Sequence, residues 1–269
     1  YGQYKRLRDE NTGVLTGKGI GWGGSLIRPE ATGYGALYYA EELLKDFGDT
    51  LEGKRISISG YGNVAWGAAI KATELGAKVV TISGSKGYVL DEEGVNTKDK
   101  WDYMLMMRAT NSGDLRGYAE EFGAKFFPLE RPWNVPVDIA MPCAYQNELN
   151  GENAEALVKN GVKYIIETSN MGCTPEAVET FRKAEIPFAP SKAANAGGVA
   201  VSGLEMSQNS AHLSWSREEV DQKLRGIMVS IHDACVREGR EKDGSINYIK
   251  GANIAGFKKV ADAMCAQGY

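Results

Sequence analysis

The chain is 269 residues long, with 31 Lys and Arg against 35 Asp and Glu, a formal net charge of −4 and 43% hydrophobic residues. That length buries a sizeable core in one large α/β domain or two small ones, the mild acidity argues against nucleic acid as the main partner, and no apolar run approaches the roughly 20 residues that span a bilayer. Cys143, Cys173, Cys235 and Cys265 lack C-x-x-C spacing, and His212 and His232 have no ligand partners nearby in sequence, so neither a metal site nor a disulfide framework is expected and a reducing cytoplasm fits best.

In chain order, residues 31–47 carry a helix pattern ahead of the apolar strand Arg55-Ile56-Ser57-Ile58. Ser59-Gly60-Tyr61-Gly62-Asn63-Val64-Ala65 follows and opens a helix over 64–75. Strand, glycine turn and helix in that order make a cradle for a dinucleotide diphosphate. The glycines let the backbone approach the phosphates, and the unpaired amides and positive end of the helix stabilise their charge. Ala65 replaces the third glycine of the usual G-x-G-x-x-G, which the fingerprint allows. Such a turn also serves as a plain connection, so its surroundings decide.

A second buried strand is predicted over 77–83, completing a β-α-β unit, and the chain continues Gly84-Ser85-Lys86-Gly87. No carboxylate sits where an NAD-type site has one for the adenosine ribose. The Ser85 hydroxyl and Lys86 ammonium suit a 2′-phosphate, which favours NADP(H), with NAD(H) as the alternative; the same two residues also suit a solvated turn. A short hairpin at 87–90, helices at 98–108 and 112–122 and a strand at 124–127 come next, punctuated by Pro128 and Pro132. Apolar runs at 137–141, 164–166 and 187–189 alternate with helix patterns at 151–160 and 174–184, and from 194 to 268 the pattern is helical with breaks near Trp215 and at 239–244. His212 and His232 both fall in helix-patterned stretches, which points to packing or surface roles. The alternation predicts a doubly wound, Rossmann-like, mostly parallel sheet with helices on both faces and a helical C-terminal region.

Open parallel sheets bind ligands at the carboxyl edge of their strands. Three loops there carry amides: Asn147 after the strand at 137–141, Asn170 after 164–166 and Asn195 after 187–189. A neutral carboxamide suits the nicotinamide and ribose groups, because it donates and accepts without adding charge; helix capping is the alternative for each.

Asn195-Ala196-Gly197-Gly198-Val199-Ala200-Val201-Ser202-Gly203-Leu204-Glu205-Met206-Ser207-Gln208-Asn209 and Gly23-Gly24-Ser25-Leu26-Ile27-Arg28-Pro29-Glu30-Ala31-Thr32-Gly33-Tyr34-Gly35 closely resemble signatures of hexameric glutamate dehydrogenases. The match continues through the glycine turn and Gly251-Ala252-Asn253-Ile254-Ala255-Gly256-Phe257. The resemblance implies reversible oxidative deamination of L-glutamate to 2-oxoglutarate and ammonia with hydride transfer to NADP, or less readily NAD. It places Arg28 and Thr32 by the nicotinamide, Gly60, Gly62, Asn63 and Val64 on the diphosphate, Ser85 and Lys86 on the adenosine phosphate, Ala144, Gln146, Asn147 and Asn170 along the coenzyme groove and Asn195 by the nicotinamide. Val199 and Ser202 would face the substrate, Ser202 donating to its distal carboxylate, although a buried serine ordinarily bonds within its own helix.

The pattern has departures. Tyr145 stands for a Thr, Thr168-Ser169 for Gly-Ala, and Gly84 for an Asp common in NADP-using members. The family's catalytic lysine and Asp belong to an amino-terminal domain that this sequence does not match, and Lys18, Lys45, Lys54 and Lys192 do not fit the catalytic motif, so no catalytic residue is assigned. The chain opens at Tyr1 without an initiator Met and is expected to be a piece of a longer protein, with residues 23–245 as the dinucleotide-binding domain and 1–22 and 246–269 connecting to the other domain. The apolar stripe Ile254, Phe257, Val260, Ala261, Met264 on a helix at 253–267 would pack toward that domain. The full enzyme would be a homohexamer and this piece a monomer that binds coenzyme without turnover. A stand-alone dinucleotide-binding module and a branched-chain amino-acid dehydrogenase are the alternatives.

Overall fold

A computed structural model describes residues 1–10 and 13–269. Seven strands form one sheet: β1 (Arg55–Ile58), β2 (Lys78–Gly84), β3 (Gly87–Leu90), β4 (Lys125–Pro128), β5 (Ile139–Met141), β6 (Tyr164–Ile166) and β7 (Phe188–Ala189), in the spatial order β4-β3-β2-β1-β5-β6-β7. β2, β1, β5, β6 and β7 run parallel, while β3 pairs antiparallel with both β2 and β4. The chain leaves β1 toward β2 on one side and returns to it at β5, so the strand order reverses between β1 and β5.

Side chains alternate across the sheet with the period of the pleat. Ile56, Ile58, Val79, Ile139, Met141 and Ile166 join one core with α2 (Ala31–Asp46) and α3 (Asn63–Glu74); α1 (Gly2–Arg8), which precedes them, buries no residue. α4 (Lys98–Thr110) and α5 (Arg116–Phe122) add Met104, Met107 and Tyr118 to that core. Val80, Ala140 and Ile165 point the other way and pack with Trp133 under α6 (Gly151–Lys159) and α7 (Pro175–Lys183). The doubly wound expectation therefore holds, strand by strand. The helix predicted from residue 112 begins at Arg116, because Asn111 and Gly113 both adopt positive φ and end the preceding helical run.

Beyond β7 lie α8 (Ser191–Ala194), α9 (Gly197–Ser210), α10 (Arg217–Gly239) and α11 (Tyr248–Ala266). His212 sits outside these helices, in a left-handed turn after α9. His232 is buried on α10, its Nε2 2.9 Å from Asp46 Oδ2, an atom that also accepts from Tyr248 OH at 2.6 Å. α11 starts earlier than its sequence pattern and buries only Tyr248, Gly251 and Ala252; Phe257, Val260 and Met264 of the apolar stripe are exposed. No helix among the described residues is long and apolar enough to cross a membrane. All four cysteines are free, and among the described residues no group of metal-ligating side chains gathers.

Candidate functional site

The glycine turn follows β1 at the point where the strand order reverses. Gly60 has φ +79°, a conformation that favours glycine, and its amide donates to Ser83 Oγ at the end of β2 over 2.9 Å. Ser59 Oγ accepts from the Cys143 amide at 2.8 Å, so the ends of β1, β2 and β5 are tied together through two serine hydroxyls. Gly62 is the N-cap of α3, and no side chain caps that helix. Its first-turn amides are therefore free to bind an anion. A Cβ at Gly62 would meet nothing within 4 Å. The open space beside an uncapped helix terminus fits a diphosphate.

A cleft of about 570 Å³ opens here, lined by the glycine turn, Ser83 to Ser85, the stretch Leu129-Glu130-Arg131 after β4, and Cys143-Ala144-Tyr145 after β5. That volume suits a bound small molecule or cofactor. Burial pushes the Cys143 thiol well above its ordinary range, so it sits there as an inert thiol. Of the residues singled out in the sequence, Gly60, Gly62, Asn63, Val64, Ser85 and Ala144 line the cleft. Lys86 does not: its ammonium lies 3.3 Å from Asp114 Oδ2. Hydrogen bonds from Arg116, with Lys86 beside them, hold the Asp114 carboxyl well below the usual carboxylate range.

The loops after β5, β6 and β7 are stitched into one rim. Asn147 donates its amide to Met171 O at 2.7 Å, and both residues have positive φ. Asn195 Nδ2 donates to Asn170 Oδ1 at 2.8 Å. None of the three asparagines is an N-cap, since the helices that follow them start from Asn150, Thr174 and Ala196; Asn195 stands at the C-cap of α8, its backbone amide closing that short helix. Gln146 is exposed on the same loop.

Sequence reasoning missed two buried carboxylates beneath this rim. Glu148 Oε1 accepts from the amides of Ala144 (2.9 Å) and Tyr145 (3.3 Å) and from Ser169 Oγ (3.4 Å), while Oε2 is buried without a partner; desolvation pushes its carboxyl above the ordinary value. Glu167 accepts from the amides of Cys173 (2.9 Å) and Ser191 (2.7 Å). The signal was a carboxylate close after each strand, followed by residues whose amides need acceptors.

α2 connects this cleft to the second half of the site. A Cβ at Gly33 would lie 2.4 Å from Val64 O, and one at Gly35 would lie 2.7 Å from Gly197 Cα, so the first turns of α3 and α9 meet α2 backbone to backbone. Thr32 Oγ1 stands over Gly198 of α9. Ser202 is buried on α9, and its Oγ accepts from Arg28 Nε at 2.8 Å and Thr16 Oγ1 at 3.2 Å rather than bonding within its own helix. One turn on, Glu205 is fully buried, paired with Lys18 Nζ at 2.6 Å and accepting the amides of Gly17 and Lys18. Val199 is 71% exposed beside them. Arg28, Thr32, Asn170, Asn195, Val199 and Ser202 thus lie along one continuous rim.

Residues 23–268 match the family model described as Glutamate/Leucine/Phenylalanine/Valine dehydrogenase. The chain is 59% identical over 269 residues to the NAD-specific glutamate dehydrogenase of Bacteroides fragilis (strain YCH46), covering 100% of this chain and 60% of that protein. It is 54% identical over 267 residues to the NADP-specific glutamate dehydrogenase of Escherichia coli (strain K12), covering 99% and 59%. A solved glutamate dehydrogenase superposes with a TM-score of 0.97 at 53% identity over 100% of this chain and 60% of that one. A hetero-hexameric glutamate dehydrogenase from Thermus thermophilus superposes at 0.81 with 25% identity, covering 99% and 60%. The chain spans about 60% of the length of the relatives it matches. With this sheet, this cleft and a matching family model over nearly all its residues, the chain belongs to the glutamate/leucine/phenylalanine/valine dehydrogenases.

Proposed function

We propose that this chain is the coenzyme-binding part of a glutamate dehydrogenase, acting in the reversible oxidative deamination of L-glutamate to 2-oxoglutarate and ammonia, and that its coenzyme is NAD(H). The observation that carries the reading is the pairing of an uncapped α3 terminus and an open Gly62 with a rim that ends at Arg28 and Ser202. When bound, the nicotinamide coenzyme supplies the hydride acceptor. The chain's own residues then have distinct tasks. Gly60, Gly62, Asn63 and Val64 hold the diphosphate through backbone amides. Thr32, Asn147, Asn170 and Asn195 orient the nicotinamide half with neutral groups. Ser202, primed by Arg28, donates to the distal carboxylate of the substrate, and Val199 supplies an apolar wall. A polar Ser202 favours a dicarboxylic substrate over a branched-chain one.

Asp114 is one ground for this coenzyme preference. It neutralises Lys86, the cation that would otherwise receive a 2′-phosphate, and its own charge repels one. We further propose that residues 23–245 form the binding domain, that 1–22 and 246–269 reach toward a second domain, and that the complete enzyme is hexameric. Calorimetric titration of the chain with NADH and NADPH tests the core of this: NADH binding with micromolar affinity and NADPH binding more weakly is expected, and failure of both dinucleotides to bind overturns it.

A further inference from the structure

The strand that ends the β-α-β unit, β2, offers Gly84, Ser85 and Lys86 where an acid would be needed to accept hydrogen bonds from the adenosine ribose, and Lys86 turns away to Asp114. A carboxylate nevertheless reaches the same cleft from a different strand. The Leu129 amide donates to Lys86 O at 2.9 Å, which lays the stretch after β4 directly against the β2–β3 turn. The approach is close: a Cβ at Gly87 would lie 2.2 Å from Phe127 O and 3.1 Å from Leu129 N. Leu129 takes φ +59°, bending the chain so that Glu130 and Arg131 both line the cleft.

These two neighbours divide the cleft between them. The Arg131 guanidinium stacks over the Tyr145 ring at 5.1 Å, on the β5 side, where Ala144 abuts Gly60 of the diphosphate turn. Glu130 lies toward the β3 side, its charge adding to burial in raising the Tyr88 hydroxyl above its ordinary value. The Glu130 carboxylate forms no hydrogen bond or ion pair among the described residues. It is thus an uncommitted acceptor at the ribose end, beside a cation drawn toward the diphosphate end.

We propose that Glu130, entering from the β4 side, is the carboxylate that accepts hydrogen bonds from the adenosine ribose hydroxyls and excludes a 2′-phosphate, replacing the acid that β2 lacks. The inference rests on the coenzyme-binding reading above and deepens it. Like charges brought together in a partly desolvated cleft are strongly discriminating, and a lone carboxylate without a competing partner is well suited to reading a diol.

Glu130→Gln and Glu130→Lys, compared with the unaltered chain, test it by titration with NADH and NADPH. Glu130 is exposed, so thermal unfolding of both variants should match the parent. Glu130→Gln is expected to shrink the NADH-over-NADPH preference by about tenfold, and Glu130→Lys to reverse it. A preference unchanged in Glu130→Gln, alongside normal dinucleotide binding by the parent, overturns the Glu130 assignment alone. A parent chain that binds neither dinucleotide, or binds NADPH tighter, overturns the reading on which the assignment stands.

Discussion

Replacing Gly62 by Ala separates what the glycine does for the fold from what it does for the ligand. Gly62 has φ −78° and ψ −170°, which any residue adopts, and its added methyl would meet no atom within 4 Å. Alanine is a poorer N-cap than glycine by up to about 1 kcal/mol, and the stiffer unfolded chain offsets about 0.4–1 kcal/mol of that. Unfolding should therefore shift by less than about 1 kcal/mol, or about 2–4 °C at this chain length. Binding should respond very differently. The methyl occupies the space assigned to the diphosphate and displaces it from the α3 amides, whose charge-assisted hydrogen bonds contribute about 1.5–3 kcal/mol each. A loss of about 3 kcal/mol corresponds to about 150-fold in Kd. Calorimetry with NADH and a thermal melt on the same preparation read both quantities. An alanine variant that melts with the parent and binds NADH within threefold of it refutes the assignment of that space to the diphosphate.

Three further outcomes are expected. Gly67→Ala drives a methyl to 2.5 Å from Glu30 O, so this variant should lose about 1–3 kcal/mol of stability in urea unfolding, the reverse of the Gly62 result; an unchanged midpoint contradicts the close α2–α3 contact. Glu205→Ala leaves the Lys18 ammonium buried without a counter-charge, its side chain 3% exposed, and should cost about 3–5 kcal/mol by the same measurement. Glu148 has a folded-state pKa above its unfolded value, so it stabilises the fold most while protonated, and that contribution is lost as pH rises through the raised value. Glu148→Gln should accordingly gain stability relative to the parent as pH rises from about 4 toward neutrality, and a difference that is flat with pH, or falls, contradicts the burial.

The sheet was legible because its central parallel strands are largely buried on both faces. Runs such as Val137-Asp138-Ile139-Ala140-Met141 carry their apolar content in a few consecutive residues between glycine and proline breaks, and β-branched side chains in short runs leave little ambiguity. The glycine turn was legible for an equally local reason, since Gly60 takes φ +79°, a conformation that favours glycine, directly after a strand. What could not be read were pairings between segments far apart in sequence. Nothing adjacent to Lys86 announces Asp114, and nothing near Ser202 announces Thr16 and Arg28 as its partners. Buried acids such as Glu148 and Glu205 look like solvated surface in a linear pattern, because the backbone amides that meet Glu148 Oε1 and the amides and lysine that meet Glu205 are brought in by the fold. The start of α5 was misjudged because Gly113, inside the expected 112–122 helix, takes φ +58°, and a glycine gives no sign in a linear pattern of whether it sits in a helix or in a left-handed turn.

The glycine-to-backbone contacts along α2 have a mechanical corollary. With Gly33 seated on the Val64 carbonyl and Gly35 on Gly197, no layer of side chains lies between this helix and its two neighbours to absorb a displacement. α2 behaves as a stiff strut, and a shift of a few tenths of an ångström at one flank is felt at the other. Variation on this scaffold is consequently confined to groups that project from the rims, such as Val199 and Tyr145, because any enlargement along the strut would shift both neighbouring helices at once.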